Sequence, residues 1–185
     1  MIRNATRDDR AQAAVLIYDA IHDIAHALTG ETDKQNVLQQ LEAFYCQEVN
    51  RMSYHNCLIK SVEGEVVGIV VAYHGKDAQQ LDGPILAHLQ EKNPESESVI
   101  DKEADEIDFY IDTVSVDPQF CGRGFGTELL QAAIEQARQQ GYSTVSLNVE
   151  ENNHKAHRLY ERLGFAYKKE IMINGHMYYY LVKNI

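Results

Sequence analysis

Between Val114 and Leu130 the chain reads VSVDPQFCGRGFGTELL, which sets Gly122, Gly124 and Gly126 between a run that alternates like a strand and one that repeats like a helix. Glycine lets a backbone turn through positive φ and come close to a ligand. The first amides of a helix point outward with partial positive charge, so such a segment can cradle phosphates. It can also be no more than a tight strand-to-helix turn, and the glycines alone do not decide. A dinucleotide fold places the turn after the first strand of a βαβ unit, with a carboxylate about 20 residues further on. Glu150 stands near the end of the following strand, but two antiparallel runs precede the turn and no second mononucleotide half follows it. A Walker phosphate loop is excluded, because no Gly-Lys-Ser/Thr occurs in the chain.

Just before the turn, Ile107, Phe109 and Ile111 alternate with Asp108, Tyr110 and Asp112. Period-two geometry puts the two carboxylates and the phenol on one face and carries Asp112 to the same side as Val114. A carboxylate there suits a base or an amine anchor, and the plainer alternative is a solvated strand face. Cys121 has no organised His partner, which disfavours thiol catalysis. His22 and His26 stand at i, i+4, yet HDIAH carries Asp where zinc peptidases carry Glu, and no third ligand is in view. No metal is expected. His154 and His157 read as exposed helix residues.

The elements that must position these groups follow from periodicity. Ile2 to Thr6 suits a short strand. Asp8 or Asp9 can cap a helix through Ala13, Val15, Leu16, Ile17 and Ile21, ended by a loop at Thr29 to Glu31. Val37, Leu38, Leu41, Phe44, Tyr45 and Val49 mark a second amphipathic helix. Cys57 to Val62 and Val66 to Tyr73 form a hairpin about Glu63-Gly64-Glu65. Residues 75–106 break the pattern and read as an insertion with one helical turn or two. A strand from Ile107, the glycine turn, a helix from about Thr127 to Gln140 stopped by Gly141, and a strand from Ser143 to Val149 make a βαβ unit, so its strands should be parallel. A helix from Asn153 to Leu163 and a hairpin about Asn174-Gly175 finish the chain.

The chain has 185 residues, 44% of them hydrophobic and 24% charged, with only 3 Pro and 11 Gly, which fits one folded domain over 1–185 rather than a disordered or fibrous chain. The longest apolar stretch, Val66 to Tyr73, falls far short of the roughly 20 residues that cross a bilayer. Met1 to Arg10 is polar and charged, unlike a secretory signal, and the expected location is cytoplasmic. Three cysteines without CxxC spacing argue against a disulfide framework and a structural zinc site. With 17 Lys and Arg against 28 Asp and Glu, the net charge of -11 disfavours nucleic acid and suits amine-bearing partners.

Gln119-x-x-Gly122-x-Gly124, extended by Gly126 and Thr127, resembles the acetyl-CoA signature of the Gcn5-related N-acetyltransferase (GNAT) superfamily. Asn153-x-x-Ala156-x-x-Leu159-Tyr160-x-x-x-Gly164-Phe165 resembles the second conserved block of the same superfamily. The resemblance covers essentially the whole chain apart from 75–106. It implies an α/β fold with a central mixed β-sheet flanked by helices and a C-terminal β-hairpin. The implied activity is transfer of acetyl from acetyl-CoA to a primary amine by direct attack. By the same resemblance, Val114 and Val116 offer backbone groups to the pantetheine arm, and the Val114 N–H lies near the thioester oxygen. The pyrophosphate would rest on the amides from Cys121 through Thr127, Phe125 among them, with Arg123 adding a charge. The superfamily often has Arg where this chain has Cys121, which removes one phosphate contact.

Tyr160 takes the position of the general acid for the leaving thiolate, against the reading of a packing Tyr on a helix. Asn153 is either a pantetheine contact or a helix N-cap. The first two helices flank the acceptor site in this superfamily, which makes His22 and His26 candidates for its wall. Expected partners are a small-molecule or protein amine, with no nucleic acid and no membrane, and self-association as a homodimer stays open. The alternative is a noncatalytic acyl-CoA-binding regulatory module on the same fold. Nine acidic residues between Glu91 and Asp112, against Lys92 and Lys102, either steer cationic amines or form a solvated loop.

Overall fold

The computed structural model describes residues 1–185. One seven-stranded sheet is built from β1 (Ile2–Asn4), β2 (Cys57–Val62), β3 (Glu65–His74), β4 (Phe109–Val116), β5 (Thr144–Glu150), β6 (Ala166–Ile173) and β7 (His176–Asn184), in the order β1-β2-β3-β4-β5-β7-β6. The helices are α1 (Arg10–Ile21), α2 (Asp23–Thr29), α3 (Lys34–Cys46), α4 (Ala78–Lys92), α5 (Phe125–Gln139) and α6 (His154–Arg162). β4 and β5 pair in parallel, and every other neighbouring pair is antiparallel. That follows from the connections: β4 and β5 are joined through α5, whereas both hairpins turn tightly. Glu63-Gly64 and Asn174-Gly175 have positive φ at both residues, the conformation that matches the twist of a two-residue hairpin.

The sheet separates two cores. Ile69, Val71 and Tyr73 of β3 face one side, with Ile17, Leu41, Phe44 and Ile85 from the helices. Val70 and Ala72 face the other, with Leu129, Leu130 and Ile134 of α5 and Phe165 beyond α6. The mixed sheet flanked by helices and the terminal hairpin agree with the sequence expectation. No helix is long and apolar enough to cross a membrane.

Three helical expectations differ, the smallest being that α3 stops at Cys46, short of Val49. The run to Thr29 is not one helix, because His22 takes φ 39 and ψ -106 and divides α1 from α2. The break lets α2 turn onto α3 and α4, where Ala25 and Leu28 are buried. Residues 78–92 form fifteen residues of helix rather than one or two turns, although Pro84 lies inside and forfeits a backbone hydrogen bond. Burial of Ile85 and Leu89 in the first core, and the bond of His88 Nε2 with Thr29 O at 2.9 Å, offset that loss.

Segment 93–108 returns to the sheet across Gly75, whose N–H donates to Asp108 O at 2.8 Å. A Cβ on Gly75 would lie 2.0 Å from Asp105 O, so backbone would have to move. Gly83, exposed within α4, has open space around it. Gly75→Ala should therefore lose about 1–3 kcal/mol of unfolding free energy, whereas Gly83→Ala should change it by less than about 1 kcal/mol, because the helix propensity it gains is offset by the contact of its Cβ with the Pro84 ring. Urea unfolding of the two variants checks the difference.

Candidate active site

β4 and β5 share a ladder only at Phe109–Ile111 against Val145–Leu147, yet β4 runs on to Val116 and β5 to Glu150. The strands part, and a cleft of about 930 Å³ lies against the gap. What the gap receives from β4 is set by a bulge. Val71 pairs with Thr113 and Ala72 with Ile111, so Asp112 has no partner on β3. Beyond it, Asp117 N–H donates to Val67 O at 2.9 Å, which fixes the phase of the antiparallel pairing. Thr113 and Ser115 bond to β3, and Val114 and Val116 turn their N–H and C=O groups away from it, into the gap.

The bulge also corrects the expected strand face. Phe109 and Ile111 pack in the second core, and after the bulge Val114 and Val116 do so too. Asp112 lies on the opposite side from Val114, because the extra residue reverses the alternation. Asp108 is withdrawn from the cleft altogether, accepting from Tyr180 OH and, at 2.7 Å, from Thr144 Oγ1.

At the end of β4, Asp117 Oδ1 accepts from Gln119 N–H at 2.8 Å and starts the turn. Cys121 N–H donates to Pro118 O at 3.3 Å, so that amide is already used. From Gly122 to Thr127 no amide has a protein acceptor, and Glu128 N–H, bonded to Gly124 O at 3.1 Å, is the next to find one. Gly122 and Gly124 have φ of 80 and 83, a conformation that side-chain-bearing residues rarely hold. Six free amides in a turn at a helix start form an anion cradle. Phe120, Cys121 and Phe125 line the cleft beside it, whereas Gln119 and Arg123 are not among the lining residues. The Arg123 guanidinium lies 5.0 Å from the Phe120 ring centroid.

α6 contributes the facing wall. Asn153 Oδ1 accepts from Ala156 N–H at 3.1 Å, so Asn153 is the N-cap, and it also lines the cleft. Lys155, Arg158 and Arg162 share one helix face, line the cleft and have no acidic partner. Their i, i+3, i+7 spacing was legible in the sequence, but the resemblance drew attention to the neighbouring motif positions instead. Tyr160 is buried and lines the cleft, its hydroxyl bonded to no protein group. Burial pushes its pKa up to about 12, so the phenol holds its proton at neutral pH.

The other end of the cleft holds groups that sequence reading missed. Arg51, buried just after α3, donates to Asp112 Oδ2 from Nε at 2.9 Å and from Nη2 at 2.6 Å. Its Nη2 also lies 2.8 Å from Glu103 Oε2, and its Nη1 3.6 Å from Asp82 Oδ1. Tyr73 OH donates to Asp112 Oδ2 at 2.7 Å, and Thr113 Oγ1 to Oδ1 at 2.9 Å. Tyr110 OH donates to Glu103 Oε2 at 2.8 Å and accepts from Asn148 Nδ2 at 2.9 Å. Burial pushes the Glu103 and Asp82 carboxyls above their usual range, with Arg51 opposing it. Glu103 and Asp82 both come from residues 75–106, which therefore build part of the site. No local signal marked Arg51 or singled out Glu103 among its acidic neighbours.

The two helical histidines separate. His22 lines the cleft, and His26 is tied by Nδ1 to Glu31 O at 2.9 Å and by Nε2 to Tyr18 OH at 3.2 Å. No three His, Cys, Asp or Glu side chains gather as metal ligands do.

A parted parallel strand pair that offers backbone to a long cleft, with free amides on the glycine turn and buried carboxylates around Arg51, is an arrangement that can take an extended anionic ligand. The Acetyltransferase (GNAT) family matches residues 18–165, and the chain belongs to that family. An N-acetyltransferase of Staphylococcus aureus Mu50 is similar in structure, with a TM-score of 0.83 and 28% identity over 98% of this chain and 99% of that one. Spermine/spermidine N(1)-acetyltransferase of Bacillus subtilis (strain 168) is 34% identical over 67 residues, 36% of this chain and 44% of the relative. [Ribosomal protein bS18]-alanine N-acetyltransferase of Haemophilus ducreyi (strain 35000HP / ATCC 700724) is 40% identical over 52 residues, 28% of this chain and 36% of the relative. These matches span less than half the length of the two curated relatives.

Arg51 is the one cation among Asp112, Glu103 and Asp82, so Arg51→Met should cost about 3–5 kcal/mol at pH 7.5 by leaving buried carboxylates uncompensated. Carboxyls whose folded pKa is raised bind protons more tightly when folded, so stability rises as pH falls through that folded value. The variant lacks the opposing charge, and its deficit should shrink at pH 5. Chemical unfolding of both proteins at the two pH values checks the size and the sign.

Proposed function

We propose that the chain is an N-acetyltransferase that moves acetyl from acetyl-CoA to an amine by direct attack. One observation carries this reading: a single cleft joins the free amides of the glycine turn to a carboxylate cluster, with unpaired strand backbone between them. The diphosphate fits the amides from Gly122 to Thr127, and the Lys155, Arg158 and Arg162 face supports its charge. The pantetheine arm fits along Val114 and Val116 as a strand partner would, and Asn153 lies beside it. The Val114 N–H stabilises the developing oxyanion. Tyr160 protonates the leaving sulfur, a role suited to a phenol whose proton is held and whose oxygen has no other partner. Asp112 anchors Arg51 and the bulge, because both its oxygens are already engaged.

The acceptor is a small-molecule or protein amine. Relatives named for spermine/spermidine and for a ribosomal protein alanine support both kinds. Asp19, Glu103, Asp112 and Glu150 line the cleft and suit a cationic amine.

The test measures acetyl-CoA binding by calorimetry and thiol release across polyamines, amino-terminal peptides and lysine analogues. Thiol release that depends on an amine is the expected result. Tight acetyl-CoA binding with no turnover on any amine would instead support a noncatalytic acyl-CoA-binding module. With an accepted amine, Tyr160→Phe should keep acetyl-CoA affinity and lose about 10²-fold to 10⁴-fold in kcat. Wild-type turnover in that variant would return Tyr160 to packing.

A further inference from the structure

We propose that Glu103 is the proton acceptor for the attacking ammonium, and that a second cavity behind it carries the proton to solvent. The proposal rests on the acyl-transfer reading above. Glu103 belongs to the irregular stretch between α4 and β4, and its side chain stands in the wall between two cavities. On one side is the acyl-transfer cleft. On the other is a cavity of about 300 Å³, also lined by Arg51, Tyr73, Asp82, Lys76 and Lys102.

The two oxygens of Glu103 have different surroundings. Oε2 is ion-paired with Arg51 Nη2 and accepts from Tyr110 OH, both at 2.8 Å, which holds that oxygen in place. Oε1 accepts nothing from the protein and is left for an incoming N–H donor. Asp112 differs on this point, with Arg51, Tyr73 and Thr113 on its two oxygens. The groups that face Glu103 are Arg51 from the loop after α3, Tyr110 and Asp112 from β4, Tyr73 from β3 and Tyr178 from β7. Burial raises the affinity of Glu103 for a proton against the pull of Arg51, so it is a stronger base than an exposed Glu.

Asp82 supplies the next station. It lies across Arg51 from Glu103, makes no hydrogen bond, has Oδ1 buried without a partner, and lines the second cavity. Burial raises its proton affinity as well. A polar cavity of this size accommodates several water molecules, enough to connect the two carboxylates to the exterior.

The step balances as follows. The ammonium gives one proton to Glu103 Oε1 and becomes a neutral amine. Its lone pair forms the C–N bond to the thioester carbonyl carbon, and the C–S bond breaks with its electron pair on sulfur. The second proton of the nitrogen replaces the one that Tyr160 gives to the sulfur. Glu103 then releases the first proton through the second cavity, so ammonium and acetyl-CoA become amide, free thiol and one H⁺.

The experiment takes spermidine and an alanine-initiated hexapeptide as probes and records kcat/KM against pH, with acetyl-CoA affinity measured separately. In Glu103→Gln, acetyl-CoA affinity should hold and kcat at pH 7 should fall about 10²-fold to 10⁴-fold. Its acidic limb should vanish, leaving a rate that climbs only with deprotonation of the amine itself. Glu103→Asp should keep the limb at a reduced rate, which guards against a fold defect. Asp82→Asn should slow turnover in dilute buffer and recover as buffer concentration rises. A Glu103→Gln profile that retains the wild-type acidic limb, at any rate, overturns the assignment of Glu103. An Asp82→Asn protein indifferent to buffer overturns the exit route. If wild-type protein binds acetyl-CoA but releases no thiol with any amine, the acyl-transfer reading falls and takes this proposal with it.

Discussion

The guanidinium of Arg51 is out of reach of solvent and must be neutralised inside the fold, and its paired bonds to Asp112 do this at the one residue of β4 that lacks a partner on β3. A buried charge left alone costs several kcal/mol, so the ion pair holds the bulge in place. The bulge sets the phase of everything beyond it on β4. Without it, the carboxylate at 112 and the side chain at 114 would share a face, and the amides of Val114 and Val116 would point back to β3. With it, those amides face the gap where β5 has turned away. The same guanidinium gathers Glu103 and Asp82, which ties the stretch between β3 and β4 to the sheet at the place where chemistry is expected.

Charge along the cleft is divided. Much of the positive charge elsewhere is spent in local pairs, Arg3 with Asp9, Arg10 with Glu42 and Arg138 with Glu135 among them. Lys155, Arg158 and Arg162 have no such partner and line the same cleft as the free amides. Carboxylates dominate the far end. In a chain of net charge -11 this division of charge suits the proposed pairing of an anionic cosubstrate with a cationic amine.

Elements with strong periodicity or specific turn chemistry were legible in the sequence. The hydrophobic face of α5, the glycine stop at Gly141 and the Asn174-Gly175 hairpin each have a local cause, and local causes can be read locally. Helix α4 was not legible, because Pro84 and Gly83 speak against a helix that only the tertiary burial of Ile85 and Leu89 sustains. The division at His22 is equally a matter of packing. Of the site, the glycine-turn amides and Tyr160 were singled out only through the family resemblance that the two motifs carry. The reversed face of Asp112 did not, since a bulge leaves no mark in composition. Arg51, Glu103 and Asp112 meet only when three distant stretches of chain fold together, so their partnership had no sequence signature.

The central claim is that parted β4 and the glycine turn offer free backbone amides to acetyl-CoA. Amide hydrogen exchange, read residue by residue with and without acetyl-CoA, tests it most directly. The account predicts new protection at Val114, Val116 and Gly122 through Thr127, with β6 and the β1–β2 edge unchanged. Binding of acetyl-CoA that leaves those amides exchanging as before, or protects a different surface, would contradict it.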